Sequence, residues 1–119
     1  MYYLYIIGAL FLMYIVWKRN RKENHLVVLT KAAAKWATTA QQDESPYVAV
    51  MHANYACGYL QALKDVSTPE EIQRQTGIEF NKFQEHILNV QDMVTQKVIQ
   101  KCPEFAGNID LYLSSIAQN

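Results

Sequence analysis

Residues 1–17 carry no charged side chain, and within the next five positions the chain places Lys18, Arg19, Arg21 and Lys22. As a helix rising about 1.5 Å per residue, the uncharged run is roughly 25 Å long. That is the short end of what a hydrocarbon core of about 30 Å accepts. Tyr2, Tyr3 and Tyr5 stand at one end of the run and Tyr14 and Trp17 at the other. Amphipathic rings of this kind settle at the two membrane–water interfaces. The expectation is a single transmembrane anchor over 1–17 and a basic neck over 18–22. Lys18, Arg19, Arg21 and Lys22 would then contact lipid headgroups, each contributing about 1 kcal/mol near an anionic surface. A cleaved signal peptide has the opposite layout, with positive charge before the apolar stretch and a small-residue cleavage site after it. The rule that positive residues stay inside puts the N-terminus out and the rest of the chain on the cytoplasmic side.

Residues 23–119 have the length of one small domain. Charge is divided unevenly between neck and domain. Seven cations against eleven carboxylates leave 23–119 with a formal charge of −4, although the whole chain is neutral. An acidic domain argues against nucleic acid as a partner, because phosphate backbones require a basic face. Membrane lipid and other protein subunits are the partners this distribution fits. Cys57 and Cys102 are the two cysteines. On the cytoplasmic side they stay free thiols, and a Cys57–Cys102 disulfide is the lesser alternative. Cys57 reads as a small core residue.

The pattern beyond the neck is helical throughout. Leu26, Leu29, Ala33, Trp36, Ala37 and Ala40 recur at helical spacing over 23–42, and no proline or glycine parts this stretch from the anchor. One continuous rod is therefore expected. After a break at 41–45, Ser45 can cap a second helix with Pro46 in its first position, running to Val66. Val48, Met51, Tyr55, Tyr59, Ala62, Leu63 and Val66 form its main apolar face. Val50, Ala53, Ala56, Cys57 and Leu60 widen that face almost all round, which predicts a central helix. Gly58 inside it hints at a close neighbour. Thr68, Pro69 and Glu71 spell a capping box for a short helix ended by Gly77. Phe80, Phe83, Ile87, Val90, Val94 and Val98 stripe a last long helix over 79–101. Asn108, Ile109, Tyr112, Leu113 and Ile116 could make a closing one. The predicted fold is all-α: an N-terminal transmembrane helix followed by a bundle of four to five helices.

Chemistry is sparse. The candidate metal ligands His25, His52, His86, Cys57 and Cys102 offer no same-face His/Cys pair at i and i+4, so no metal site is expected. No phosphate loop, dinucleotide fingerprint, zinc-protease or nucleophile-elbow motif is present. These absences point to no catalytic residue, no cofactor, no small-molecule substrate and no enzyme. The best polar constellation is His52, Tyr55 and Tyr59, with Asp65 near. It is either a ligand-binding face or, the stronger reading, a packing face whose rings fill the core. Asp92 could pair with Lys64 but reads better as exposed.

The strings Gln41-Gln42-Asp43-Glu44-Ser45-Pro46, His52-Ala53-Asn54-Tyr55-Ala56, Gly58-Tyr59-Leu60 and Ala62-Leu63-Lys64-Asp65 are distinctive. With Thr76-Gly77-Ile78 and Gln91-Asp92, they resemble small membrane-anchored proteins of large icosahedral double-stranded DNA viruses of eukaryotes, the nucleocytoplasmic group. The resemblance touches about half the chain and carries no residue roles with it. It implies a virion component, a minor capsid protein linking an internal membrane to the shell. The alternatives are an accessory subunit of a membrane-bound enzyme complex and a small ligand-binding module.

Overall fold

The computed structural model describes residues 1–106 and Ile116. Helix α1 is unbroken over Tyr2–Gln42. At about 1.5 Å per residue its 41 residues extend some 60 Å, most of the molecule's 74 Å length. The expected rod is therefore real: the apolar N-terminal run and the first domain helix are one element.

Among the described residues three further α-helices follow, with ends set by local chemistry. Helix α2 spans Pro46–Val66, with Ser45 Oγ accepting from the Val48 N–H and Pro46 in the first turn. Helix α3 spans Pro69–Thr76. Its Thr68 Oγ1 accepts from the Glu71 N–H at 3.2 Å, and Gly77 ends it in the left-handed region at φ 73°. Only a residue without a Cβ adopts that conformation readily. Helix α4 spans Phe80–Lys101. The Glu79 carboxylate accepts from the Asn81 and Lys82 N–H groups at 3.1 and 2.8 Å. A short 3₁₀ turn, Pro103–Ala106, follows. Among the described residues there is no strand. The expected closing helix lies outside the described residues, apart from Ile116.

Helices α1, α2 and α4 pack on one another, and α3 crosses against α1 and α4. The core forms two clusters. Nearer the neck, Leu26, Ala33 and Ala37 of α1 meet Ala56, Leu60 and Leu63 of α2, sealed by Ile72, Phe80 and Ile87. Farther away, Ala40 meets Ala49, Val50 and Ala53, with Val90, Val94 and Val98 opposite. Alanine on both sides of the α1–α2 seam lets the two backbones approach closely. Thr30 of α1 is buried and satisfied within its own helix, its Oγ1 donating to the Leu26 carbonyl at 2.7 Å.

Two expectations about α2 need correction. It does sit between α1 and α4, but the face it buries is Ala49, Val50, Ala53, Ala56, Leu60 and Leu63. Most of the larger residues expected to face the core are exposed instead: Val48, Met51, Tyr55, Tyr59 and Val66. Small residues won the interface because they allow near contact of two helices, which tyrosine rings would prevent. Gly58 has no close neighbour either: an added Cβ there meets nothing within 4 Å.

Candidate functional site

The N-terminal arm is the first candidate. Every residue from Met1 to Lys22 is exposed. Large apolar side chains dominate it, with Leu10, Phe11 and Leu12 more than 60% accessible. Tyr2, Tyr3 and Tyr5 at its tip are 73–83% exposed, and Tyr14 and Trp17 at its base 54% and 56%. Tyr14 and Trp17 lie one turn apart with ring centroids 6.3 Å apart, and the Arg21 guanidinium sits 5.3 Å from the Trp17 ring centroid. This cation–aromatic contact orients one neck charge back towards the apolar run. Among the described residues no helix is long and apolar enough to cross a membrane. The physical cause is local: eighteen residues counted from Tyr2 already include Lys18, Arg19 and four tyrosines.

The neck is less free than its composition implies. Lys22 Nζ lies 2.7 Å from Glu71 Oε2, tying α1 to α3. The Lys22 hydrogen bond, aided by its charge, by the Thr68 backbone N–H and by Arg74, holds the Glu71 carboxyl below its ordinary range. Lys18, Arg19 and Arg21 stand exposed beside it.

The second candidate is the outward face of α2. Val48, Met51, Tyr55, Tyr59, Ala62 and Val66 fall within roughly a quarter-turn of helix when counted at about 100° per residue. Beside them Leu29 and Trp36 of α1, both half-buried, complete an open apolar groove of about 540 Å³ lined also by Tyr55, Gly58, Tyr59 and Ala62. A smaller hollow of about 270 Å³ lined by Lys22, His25, Val28, Leu29 and Val66 continues it towards the neck.

His52 closes the upper end of this face. Its ring lies 5.0 Å from Trp36, and Tyr55 meets Trp36 edge-on at 5.2 Å and 82°. His52 Nδ1–H donates to Asp43 Oδ2 at 2.6 Å. An ionised carboxylate only accepts, so the contact places a proton on Nδ1. Asp43 is itself the residue that ends α1, its N–H bonding the Thr39 carbonyl. The pair therefore fastens the α1–α2 corner to α2. Comparison with known protein families, with curated proteins and with solved structures finds no match to this chain.

Of the sequence-derived constellation, the structure brings His52 and Tyr55 together and places Tyr59 one turn on, lining the groove. Asp65 is elsewhere, accepting from Gln61 Nε2 at 2.9 Å. The carboxylate partner is Asp43 and the shared platform is Trp36, neither of which the sequence pattern connected to His52. Nine residues separate Asp43 from His52 across a turn, and only the geometry of that turn joins them. The tyrosines also do not fill the core as expected: Tyr55 is 45% and Tyr59 36% exposed.

Cys57 packs partly against the core, and burial, with a smaller push from the Asp92 charge, raises its thiol above the ordinary value. A raised thiol is a poor nucleophile at neutral pH. Asp92 is exposed. Among the described residues no three His, Cys, Asp or Glu side chains converge as a metal site would require.

Proposed function

We propose that this chain is a single-pass membrane-anchored interaction protein. The observation that carries the reading is the continuity of α1. Its uncharged run up to Trp17 is exposed among the described residues, and its later part, from Leu26 to Ala40, is a core helix of the domain. Burying that run in lipid removes a long exposed apolar surface from water. A run this short spans by thinning the bilayer locally and by letting Lys18 and Arg19 snorkel to the headgroups. The neck then lies at the cytoplasmic surface, and the groove between α1 and α2 faces the cytoplasmic space as the surface offered to a protein partner.

Within that reading, the sequence resemblance makes the partner a capsid shell and the membrane an internal virion membrane. An accessory subunit of a membrane enzyme complex is the competing assignment. Two measurements test the proposal in sequence. Alkaline carbonate should leave the full chain in membranes and release a chain lacking 1–17; full extraction of the intact protein would refute the span. Purification in mild detergent with quantitative mass spectrometry then identifies what co-purifies at fixed stoichiometry. Capsid subunits support the virion role and redox subunits the accessory role, whereas a lone chain counts against both.

A further inference from the structure

Helix α2 lies between α1 and α4, and its outward face is left uncovered among the described residues. Met51 and Tyr55 on that face are 43% and 45% exposed, and Gly58 and Ala62 follow along it. Counted at about 100° per residue, the four fall within about 60° of one another. At Gly58 the space where a side chain would stand is open. The two flanks of this face carry opposite charge. On the α1 flank Lys35 is exposed, its Nζ 5.8 Å from the centroid of the Trp36 ring that meets Tyr55. On the α4 flank Asp92 is exposed and follows Gln91, whose Nε2 donates to Asn54 Oδ1 at 3.0 Å. Asn54 and Tyr55 are neighbours in α2, so Lys35 and Asp92 stand at one level on opposite sides of it. We propose that the outward face of α2 packs against the same face of a second copy of this chain, the two lying parallel.

A twofold axis running along the paired α2 helices exchanges the flanks. Helix α1 of each copy then faces α4 of the other, so Lys35 meets the partner's Asp92 twice in a closed, self-complementary contact. Asp65 repeats the arrangement nearer the neck. It lies about 20° around α2 from Asn54, hence on the α4 flank, and beside Val66, which shares a hollow with His25 of α1. The pairing sets it opposite the partner's His25. An antiparallel pair would place α1 against α1 and α4 against α4, and such meetings of like charge oppose association. Charge therefore selects the parallel pair, which is also how two chains anchored in one membrane meet. Confinement there raises their effective concentration, so a contact too weak to persist in dilute detergent forms. Gly58 and Ala62 let the two α2 backbones come close, which gives a use to a glycine that no neighbour in its own chain requires. This pairing rests on the reading that the surface meets a protein partner, and it makes that partner the chain itself.

The test is sedimentation equilibrium of the full-length protein in mild detergent, with protein raised to about 1 mM, the effective concentration that tethering supplies. A monomer–dimer equilibrium is expected. Gly58→Leu should abolish the dimer, and its circular-dichroism melt in dilute solution should be no lower than that of wild type, because the new side chain enters open space. Lys35→Glu and Asp92→Lys should each weaken the dimer about tenfold by setting like charges together, and the two combined in one chain should restore it. Lys82→Glu, an equal charge reversal nearly three turns from Asp92 on α4, should change it less than twofold. A chain that stays monomeric throughout, a dimer that survives Gly58→Leu, a double variant no better than the single ones, or a loss with Lys82→Glu equal to theirs overturns the proposal. Carbonate extraction reports on the anchor separately, since pairing in micelles does not require a span. Release by carbonate with a dimer in detergent refutes the anchor and keeps the pair; retention with no dimer does the reverse.

Discussion

The inside of the α1–α2 seam and the outside of the same two helices are built from opposite residue types. Inside, Ala33, Ala37, Ala40, Ala49, Ala53 and Ala56 are all at most 7% exposed. Outside, α1 presents Leu10, Phe11 and Trp17 and α2 presents Met51, Tyr55 and Tyr59, each more than a third exposed. Residue hydrophobicity alone therefore does not decide which face packs. Here the decision falls to volume: alanine at three- and four-residue spacing lets two helices touch along their length. Large side chains enter the core only where a third element can cover them, as Ile72 of α3 and Phe80 and Ile87 of α4 cover Leu26 and Leu63. The large residues left over are the surfaces that the fold keeps for something other than itself.

The sharpest way to break that contrast is to truncate one large side chain on each side of it. Leu63 is fully buried, and Leu63→Ala should lower unfolding free energy by about 2–5 kcal/mol through lost transfer and a cavity. Tyr59→Ala, four residues earlier on the open face, should change it by about 0.5 kcal/mol or less, because surface truncations away from a core leave few contacts to lose. Chemical denaturation of the full chain in mild detergent measures both. Comparable losses would mean that the groove is part of the core. Ala33→Leu tests volume directly. Ala33 has no accessible surface, so the added methyl groups push α1 from α2 and should destabilise by about 1–3 kcal/mol, although the substitution increases hydrophobicity.

The helix ends were legible in the sequence because they depend on one or two residues each. Ser45-Pro46, Thr68-Pro69 and Gly77 set the boundaries of α2 and α3 where the capping rules place them. The stripe of α4 was legible for a similar reason: Phe80, Ile87, Val90, Val94 and Val98 are its only strongly apolar run at helical spacing, and they are its buried residues. The face of α2 was not legible. That helix is apolar almost all round, so periodicity offers two candidate faces, and the choice depends on the alanines of α1 opposite it. The His52–Asp43 pair and the Lys22–Glu71 pair were hidden for another reason. Each joins residues across a turn or between helices distant in sequence, and spacing carries no information about such meetings.

Gly58 gives a smaller test that distinguishes a glycine kept for packing from one kept for the open groove. An added Cβ meets nothing within 4 Å, so no helix neighbour requires glycine. Gly58→Ala should therefore stabilise the fold by about 0.5–1 kcal/mol, the helix-interior difference between the two residues. A loss of stability on denaturation would show that some neighbour does approach that position. A gain in stability accompanied by loss of a co-purifying subunit would tie the groove floor to partner binding.

The smallest expected effect concerns the Lys22–Glu71 ion pair, which joins α3 to the neck. Lys22 first, then the Thr68 N–H and Arg74, lower the Glu71 carboxyl from its ordinary value of 4.5. A carboxylate lowered on folding contributes stability above its unfolded value and loses that contribution as pH falls through its folded one. The contribution of Glu71 is thus complete at neutral pH and fades below pH 4.5. Since both partners reach solvent, the gain is modest and screened by salt. Wild type and Glu71→Gln melted side by side from pH 7 to pH 3 should differ most at neutral pH in low salt and converge in acid. A difference that persists unchanged into acid would assign the effect of the substitution to helix capping at Thr68 instead of charge. The neck and α3 would then be held together by Ile72 packing alone.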